Sequence, residues 1–152
     1  MGAEERLAAL GLVLPAPPRP LAAYVPLVRV GDLVYTAGVT CLQDGQLAYV
    51  GKVGGELTLE QGQAAARLAA LNLLSLLRSE LGSLDRIRQL IRLVGFVASA
   101  PGFHQQSEVL NGASELLVEV LGEAGRHVRS VAGVSELPRN CPVLLDLTAQ
   151  VT

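Results

Sequence analysis

Two stretches of the chain repeat apolar residues every three or four positions, the period of a helix that buries one face. The first is predicted as a helix over 59–81, where Thr58 and Gln61 fit the capping box that begins a helix. The second ends before Gly122, and its apolar positions are Val109, Leu110, Ala113, Leu116, Leu117, Val120 and Leu121. A shorter helix is predicted over 3–10.

Five runs rich in β-branched and aliphatic residues are predicted as strands, at 27–30, 33–39, 86–98, 128–134 and 143–151. Gly31-Asp32 separates the first two runs, which is typical of a hairpin with a type II′ turn. In the last run, strand alternation places Leu144 and Asp146 on one face. The loop after the hairpin has an Asp44-Gly45 turn and room for a short strand over 46–50.

The predicted order of elements is ββ(β)αβαββ, which indicates an α+β fold with two helices on one face of a sheet. Residues 1–152 are a suitable length for a single domain. The first 20 residues supply the N-terminal helix and a proline-rich connector, PAPPRP (15–20), in which the prolines exclude a helix.

Composition adds an expectation about assembly. Half of the residues are apolar and 17% are charged, a large apolar share for a small domain that must cover its surface with polar groups. Obligate subunit interfaces resemble a core cut in half and would bury the surplus. We therefore expect an oligomer.

Charge and aromatic content disfavour a nucleic-acid partner, because the net charge is −2, Lys52 is the only lysine and 3% of residues are aromatic. The N-terminus lacks the basic segment of a signal peptide, and no apolar stretch reaches the ~18 residues of a membrane span. Cys41 and Cys141 are too isolated for a disulfide framework, and His104 and His127 have no metal-ligand spacing. These features predict a cytoplasmic protein without a metal or a membrane partner.

Arg129 is the residue of the predicted strands that most needs a partner. It lies among apolar or small neighbours, and a guanidinium keeps its charge in a protein. Two interpretations are open: a salt bridge to Asp146 on an adjacent antiparallel strand, or bidentate binding of a ligand carboxylate. His127, two residues earlier, shares a strand face with Arg129, where it either lines the same pocket or makes structural hydrogen bonds.

Five stretches form a recognisable pattern: AYVPLVRVGDLVYTAG (23–38), GKVGGELTLEQG (51–62), AARLAALNLL (65–74), GASELLVEVLGEAGRHVRSVAGVSELP (112–138) and PVLLDL (142–147). They resemble the YjgF-like family, the RidA-like or reactive intermediate deaminase proteins, over nearly the full length. The Arg-Ser…Leu-Pro part is the most specific. The segment PGFHQQSEVLNGAS is longer than in the best-known deaminases, which is typical of a branch of about this chain length.

The resemblance implies a chorismate-mutase-like fold and a homotrimer, with the sheets forming a central β-barrel and ligand clefts between neighbouring subunits. It also implies the hydrolysis of reactive 2-imino or enamine acids to 2-keto acids and ammonia. No cofactor is implied, because an imine carbon is already electrophilic. The implied ligand is therefore a small carboxylate such as a 2-imino or 2-keto acid.

The resemblance also implies a set of site residues. Arg129 stands where an arginine of the family binds the substrate carboxylate. Tyr24 and Asn111 match a pocket tyrosine and a pocket asparagine. The main chain of Val131 matches a backbone contact to the same carboxylate.

Three positions depart from the pattern of the active deaminases. Val131 replaces a cysteine, Ala37 replaces a serine, and Leu144 replaces a glutamate thought to handle the attacking water. Asp146 lies one step of about 6–7 Å further along the same strand face and is the acid that could take this role. General acid–base help contributes about 10²–10⁴ in rate, so its loss would leave a binding protein or a slow enzyme.

Three functions follow as hypotheses. The first is an imine or enamine deaminase. The second is a non-catalytic trimer that binds small carboxylates in the same clefts. The third, endoribonuclease activity, is disfavoured by the acidic net charge and by the low aromatic content.

Overall fold

The structure, a computed structural model, describes residues 1–20 and 22–152. Its three helices are α1 (Ala3–Ala9), α2 (Leu59–Leu81) and α3 (Gln106–Leu121). Its strands are β1 (Leu27–Val30), β2 (Leu33–Thr36), β3 (Leu42–Gln43), β4 (Gln46–Leu47), β5 (Ile87–Ala98), β6 (Val128–Val134) and β7 (Val143–Val151). None of the helices in these two ranges combines the length and the apolar character needed to span a membrane.

A five-stranded sheet with the order β1-β2-β7-β5-β6 forms the centre of the fold. Its neighbouring strands are antiparallel except for β5 and β6, which are parallel and are connected by α3. Helices α2 and α3 pack against each other and against one face of the sheet. This arrangement confirms the predicted α+β fold with helices on one face.

Local signals in the sequence account for several elements. Thr58 and Gln61 form the full capping box at the start of α2. Val30 pairs with Leu33 across the first hairpin, and Gly31 takes the positive φ of 62° that a type II′ turn needs at this position. The predicted hairpin, the capping box and the strands over 128–134 and 143–151 are confirmed.

The second strand is shorter than predicted. It ends at Thr36 rather than at residue 39, and the chain rejoins β7 through a bridge between Val39 and Leu145. One extra residue on the β2 side explains the break, because the Thr36 hydroxyl accepts the N–H of Leu147 at 3.0 Å and takes the place of a main-chain acceptor. The short strand expected over 46–50 is likewise limited to Gln46–Leu47.

The predicted neighbour of the Arg129 strand is wrong. We expected Asp146 on an adjacent antiparallel strand, but β5 lies between β6 and β7 and pairs with β6 in parallel. A strand–helix–strand unit commonly brings its two strands together in parallel, and β5, α3 and β6 follow this rule. The salt bridge between Arg129 and Asp146 does not form.

The two faces of the sheet differ in their environment. On the helix side, β7 contributes a fully buried row made of Val143, Leu145, Leu147, Ala149 and Val151. The opposite face has no covering element among the described residues. One cross-strand row on it runs through Val28, Tyr35, Thr148, Arg92 and Val128. The apolar residues at both ends of this row are exposed: the solvent-exposed fraction is 48% for Val28 and 61% for Val128.

Candidate functional site

Helix α3 presents a polar stripe to the edge strand β6. Ser107, Asn111 and Ser114 follow one another at four- and three-residue spacing and therefore share a helix face. Arg129 lies at the level of the buried Leu93 of β5, on the side of the sheet that the helices cover. The folding of α3 over β6 thus brings the stripe to the guanidinium.

Three neutral oxygen atoms hold the Arg129 guanidinium. Its Nη1 donates to Oδ1 of Asn111 at 3.0 Å and to Oγ of Ser114 at 3.1 Å, and its Nη2 donates to the carbonyl oxygen of Ser107 at 3.2 Å. No Asp or Glu within residues 1–20 and 22–152 forms an ion pair with Arg129. The half-buried positive charge is oriented but not neutralised.

Two N–H groups of Arg129 have no acceptor in the described part of the chain. A guanidinium has five N–H donors, and the three contacts above use both of those on Nη1 and one on Nη2. The remaining donors are on Nε and Nη2, the two nitrogens that share one edge of the guanidinium. A carboxylate accepts from two such donors at once.

His127 extends the hydrogen-bond network behind Arg129. Its Nδ1 lies 2.6 Å from the carbonyl oxygen of Gly125, and its Nε2 lies 2.9 Å from Oγ of Ser114. A carbonyl oxygen only accepts, so Nδ1 of the neutral ring is the protonated nitrogen, and Nε2 accepts from the Ser114 hydroxyl. We call Asn111, Ser114, His127 and Arg129 the Arg129 cluster.

The main chain of Val131 is directed to the open edge of β6. The carbonyl of Val134 accepts from the N–H of Ser99 on the β5 side. Main-chain groups of successive strand residues point to opposite edges, so those of Val131, three residues earlier, point away from β5. Strand β6 has no partner on that edge in the described ranges, and the Val131 N–H is a free donor there.

The other predicted site residues lie elsewhere in the chain. Tyr24, Ala37 and Leu144 line a cavity of about 370 Å³ next to β2 and β7, which we call the hairpin-side cavity. Arg19 and Arg139 also line this cavity, whereas no member of the Arg129 cluster does.

The predicted residues therefore fall into two groups that one protomer does not bring together. The Arg129 cluster lies at the β6 edge of the sheet, and the hairpin-side cavity lies next to β2 and β7, with β5 between β7 and β6. A site that uses both groups requires two copies of the chain.

Asp146 is on the sheet face opposite to Arg129. It is at the level of Val94 of β5 and of Ser130, whose hydroxyl accepts from Nη2 of Arg92 at 2.9 Å. Burial raises the pKa of the Asp146 carboxyl, and the nearby Arg92 acts in the opposite direction. Leu144 shares this face, as predicted, and presents no ionisable group.

Other chemistry-bearing groups are not clustered. No set of three or more His, Cys, Asp or Glu residues in the described ranges is arranged to hold a metal ion. Cys41 and Cys141 are buried thiols, and burial raises the pKa of Cys141.

Ser114 is the site residue that the sequence reasoning missed. Two signals were present: polar residues at 107, 111 and 114 share a helix face, and His127 and Arg129 share a strand face. The contact between the two faces depends on how α3 is rotated over the sheet, which neither pattern specifies.

Comparisons with known proteins converge on one family. The profile described as "YjgF/chorismate_mutase-like, putative endoribonuclease" matches residues 4–151. Protein TCP17 of Trypanosoma cruzi is 40% identical over 143 residues, which are 93% of this chain and 89% of that protein.

Solved structures share the fold. The crystal structure of a candidate endoribonuclease from Shewanella oneidensis MR-1 is 38% identical, with a TM-score of 0.96 over 99% of this chain and all of that one. Escherichia coli TdcF with bound serine is 20% identical, with a TM-score of 0.66 over 90% of this chain and 94% of that one, and is similar in fold alone.

Proposed function

Because the chain belongs to the YjgF/chorismate-mutase-like family, we propose that it binds small 2-imino or 2-keto acids and hydrolyses the imino acids to 2-keto acids and ammonia. The ligand carboxylate binds to Arg129 through the free Nε and Nη2 donors, with the Val131 N–H as a further donor. The observation that carries the proposal is the Arg129 guanidinium itself. It is held by three neutral oxygens and paired with no carboxylate of the described chain.

The proposed site lies between two copies of a homotrimer. One copy contributes the Arg129 cluster, and its neighbour contributes Tyr24, Ala37 and Leu144 of the hairpin-side cavity. The uncovered sheet face, with its exposed valines and Tyr35, supports an assembly that buries this face in a central barrel. TdcF holds a bound serine, a ligand of the size that we propose here.

The reaction needs a water and two proton transfers. The water oxygen bonds to the imine carbon, the electron pair of the C=N bond moves to nitrogen, and one proton of the water is transferred to that nitrogen, which gives a carbinolamine. The remaining hydroxyl proton is then transferred to the amino nitrogen as the C–N bond breaks, which releases ammonia and the keto acid. Arg129 holds the carboxylate and therefore the position of the reacting carbon.

Asp146 stays the predicted acid for these transfers. It shares a strand face with Leu144, and burial favours its protonated, proton-donating form. In its own protomer it is separated from Arg129 by the sheet, so it would act on a ligand that a neighbouring copy holds.

Leu144 favours a second candidate function, which is binding without catalysis. A leucine has no proton to exchange, and it lines the hairpin-side cavity where the active deaminases are expected to have a glutamate. A trimer of this kind would retain 2-keto acids through Arg129 and release imino acids unchanged. Ribonuclease activity is not proposed, because the net charge is −2 and only 3% of residues are aromatic.

A coupled assay separates the two functions. An amino-acid oxidase generates the 2-imino acid in situ, and its decay is followed with wild-type protein, with Arg129→Ala, and with Arg88→Ala as a matched control. Arg88 is exposed on β5 and outside both groups of site residues. The proposal predicts faster decay with wild type and Arg88→Ala, and no acceleration with Arg129→Ala.

Two other results would each contradict a candidate function. No acceleration by the wild type contradicts the deaminase function, and 2-keto acid binding that is lost in Arg129→Ala then supports the binding protein. Binding that survives in Arg129→Ala contradicts both candidates.

A further inference from the structure

We infer that His127, acting through Ser114, is a positioning residue that orients the Arg129 guanidinium toward its ligand. The inference deepens the proposed function and depends on it for the identity of the ligand. It rests on one observation, a directed chain of hydrogen bonds that begins at a main-chain carbonyl and ends at the guanidinium.

The donor and acceptor roles along this chain follow from the Gly125 carbonyl, which can only accept a hydrogen bond. The carbonyl of Gly125 accepts from Nδ1–H of His127, which leaves Nε2 of the neutral ring as an acceptor. The hydroxyl proton of Ser114 is therefore directed at Nε2, and the lone pairs of Ser114 Oγ face the other way, toward Nη1 of Arg129. His127 thus sets which way the Ser114 hydroxyl points.

The chain is anchored in rigid parts of the fold. Gly125 is packed so closely on α3 that a Cβ at this position would lie 2.4 Å from the carbonyl oxygen of Leu117. Its own carbonyl is therefore a fixed reference point next to α3, and Ser114 is one turn after Asn111 on the same helix. The guanidinium plane is fixed by this helix rather than by a flexible loop.

The three oxygens that hold Arg129 are uncharged, and this distinguishes a binding role from a purely structural one. A carboxylate partner would stabilise a half-buried arginine and would also neutralise it. The three neutral oxygens fix the guanidinium, keep its charge available, and leave the Nε and Nη2 donors unused.

The inference predicts selective effects on carboxylate binding. Ser114→Ala removes the oxygen that Nη1 contacts, and His127→Leu removes the acceptor that turns the Ser114 hydroxyl. Each should weaken the binding of 2-oxobutanoate about tenfold, the effect of one hydrogen bond to a charged group, and should leave the weaker binding of its methyl ester unchanged.

Conservative variants and matched controls complete the experiment. Ser114→Thr keeps the hydroxyl, and His127→Gln offers an amide oxygen near the position of Nε2, so both should bind 2-oxobutanoate within about threefold of wild type. Ser79 on α2 and His104 before α3 are exposed and outside the cluster. Ser79→Ala and His104→Gln should therefore leave the affinity unchanged.

A second readout works on the ligand-free protein. Nitrogen-15 NMR of Arg129 reports how fast the guanidinium rotates about its C–N bonds, and the rotation should be slow in wild type and faster in Ser114→Ala and His127→Leu. The neutral His127 ring should show a protonated Nδ1 and an unprotonated Nε2. This measurement decides the orientation claim even if 2-oxobutanoate does not bind and the proposed function fails.

The inference is overturned if Ser114→Ala and His127→Leu lower the melting temperature but leave both the affinity and the Arg129 rotation at wild-type values. It is also overturned if His127→Gln is as impaired as His127→Leu. If the binding of 2-oxobutanoate is unchanged in Arg129→Ala while the rotation responds as expected, the orientation claim stands and the proposed ligand is wrong.

Discussion

Among the single residues, Arg129 carries a positive charge that only neutral partners hold. Arg129 is half-buried and contacts Asn111, Ser114 and the main chain of Ser107, each through an uncharged oxygen. Such a site attracts an anion because the guanidinium stays positive at every physiological pH. The protein thus orients this side chain without neutralising it, and we propose that the free charge binds a ligand.

Replacing Arg129 by lysine tests whether the fork geometry matters. Arg129→Lys keeps the positive charge but cannot contact Asn111, Ser114 and a carboxylate together, because an ammonium is a point charge on a flexible stem. We expect 2-oxobutanoate to bind about 10- to 100-fold more weakly by calorimetry. Wild-type affinity in this variant would mean that charge alone is sufficient.

Asp146 gives a prediction about pH. Burial raises its pKa above the ordinary value of 3.8, so the folded protein binds this proton more tightly than the unfolded chain does. The free energy of unfolding should therefore fall as the pH rises from about 3.8 through the raised pKa.

The matched variant for this prediction is Asp146→Asn, which has no proton to release. Denaturant unfolding at a series of pH values should show the decline in wild type and a smaller decline in Asp146→Asn. Parallel curves for the two proteins would show that Asp146 does not contribute.

At the scale of elements, the packing of α2 against α3 positions the Arg129 cluster. A Cβ at Gly112 would lie 2.2 Å from the carbonyl oxygen of Gln63 on α2, so glycine lets the two backbones approach closely. Gly112 is next to Asn111, and any separation of the helices displaces the polar stripe from Arg129.

Gly112→Ala should therefore destabilise the protein, although alanine normally favours a helix over glycine. The added methyl group meets backbone atoms, and we expect the free energy of unfolding to fall by about 1–3 kcal/mol in denaturant unfolding. Gly55→Ala is the control, because its nearest contact would be an ordinary 3.4 Å. An equal effect in both variants would contradict the close approach of the helices.

The elements were predictable where a local signal specifies them. The capping box of Thr58 and the Gly31 turn each require only a few neighbouring residues, and both were predicted correctly. The end of β2 was not, because the side chain of Thr36 interrupts the ladder by a long-range contact with Leu147. The parallel pairing of β5 and β6 was available from the strand–helix–strand order, but we expected an antiparallel neighbour instead.

The candidate site was predictable only in part. Arg129 stands out in the sequence as a charge in an apolar strand, and Asn111, which the resemblance matches to a pocket asparagine, accepts a hydrogen bond from it. Ser114 was missed, since its role depends on the rotation of α3. The distance between Tyr24 and the Arg129 cluster in one protomer follows from the strand order, which no local pattern shows.

In the whole molecule, we propose that each ligand site belongs to two copies of the chain. The Arg129 cluster lies at the β6 edge of the sheet, and the hairpin-side cavity lies next to β2 and β7, with β5 between them. The uncovered face of the same sheet has exposed apolar side chains. A closed ring of three copies would bury that face and bring each β6 edge to the cavity of a neighbour. The particle mass in solution should then be three times the chain mass of 15.9 kDa.

The most direct test mixes two defective variants. Arg129→Ala removes the carboxylate anchor, and Ala37→Trp fills the hairpin-side cavity, so neither protein alone should bind 2-oxobutanoate. If each site combines Arg129 of one copy with the hairpin-side cavity of its neighbour, unfolding and refolding an equal mixture restores about a quarter of the sites. Half of the copies have an intact Arg129 and the other half have an open cavity, so about one site in four receives both. Calorimetry on the mixed trimers should show this recovery at wild-type affinity. No recovery from trimers that are shown to be mixed would contradict the account.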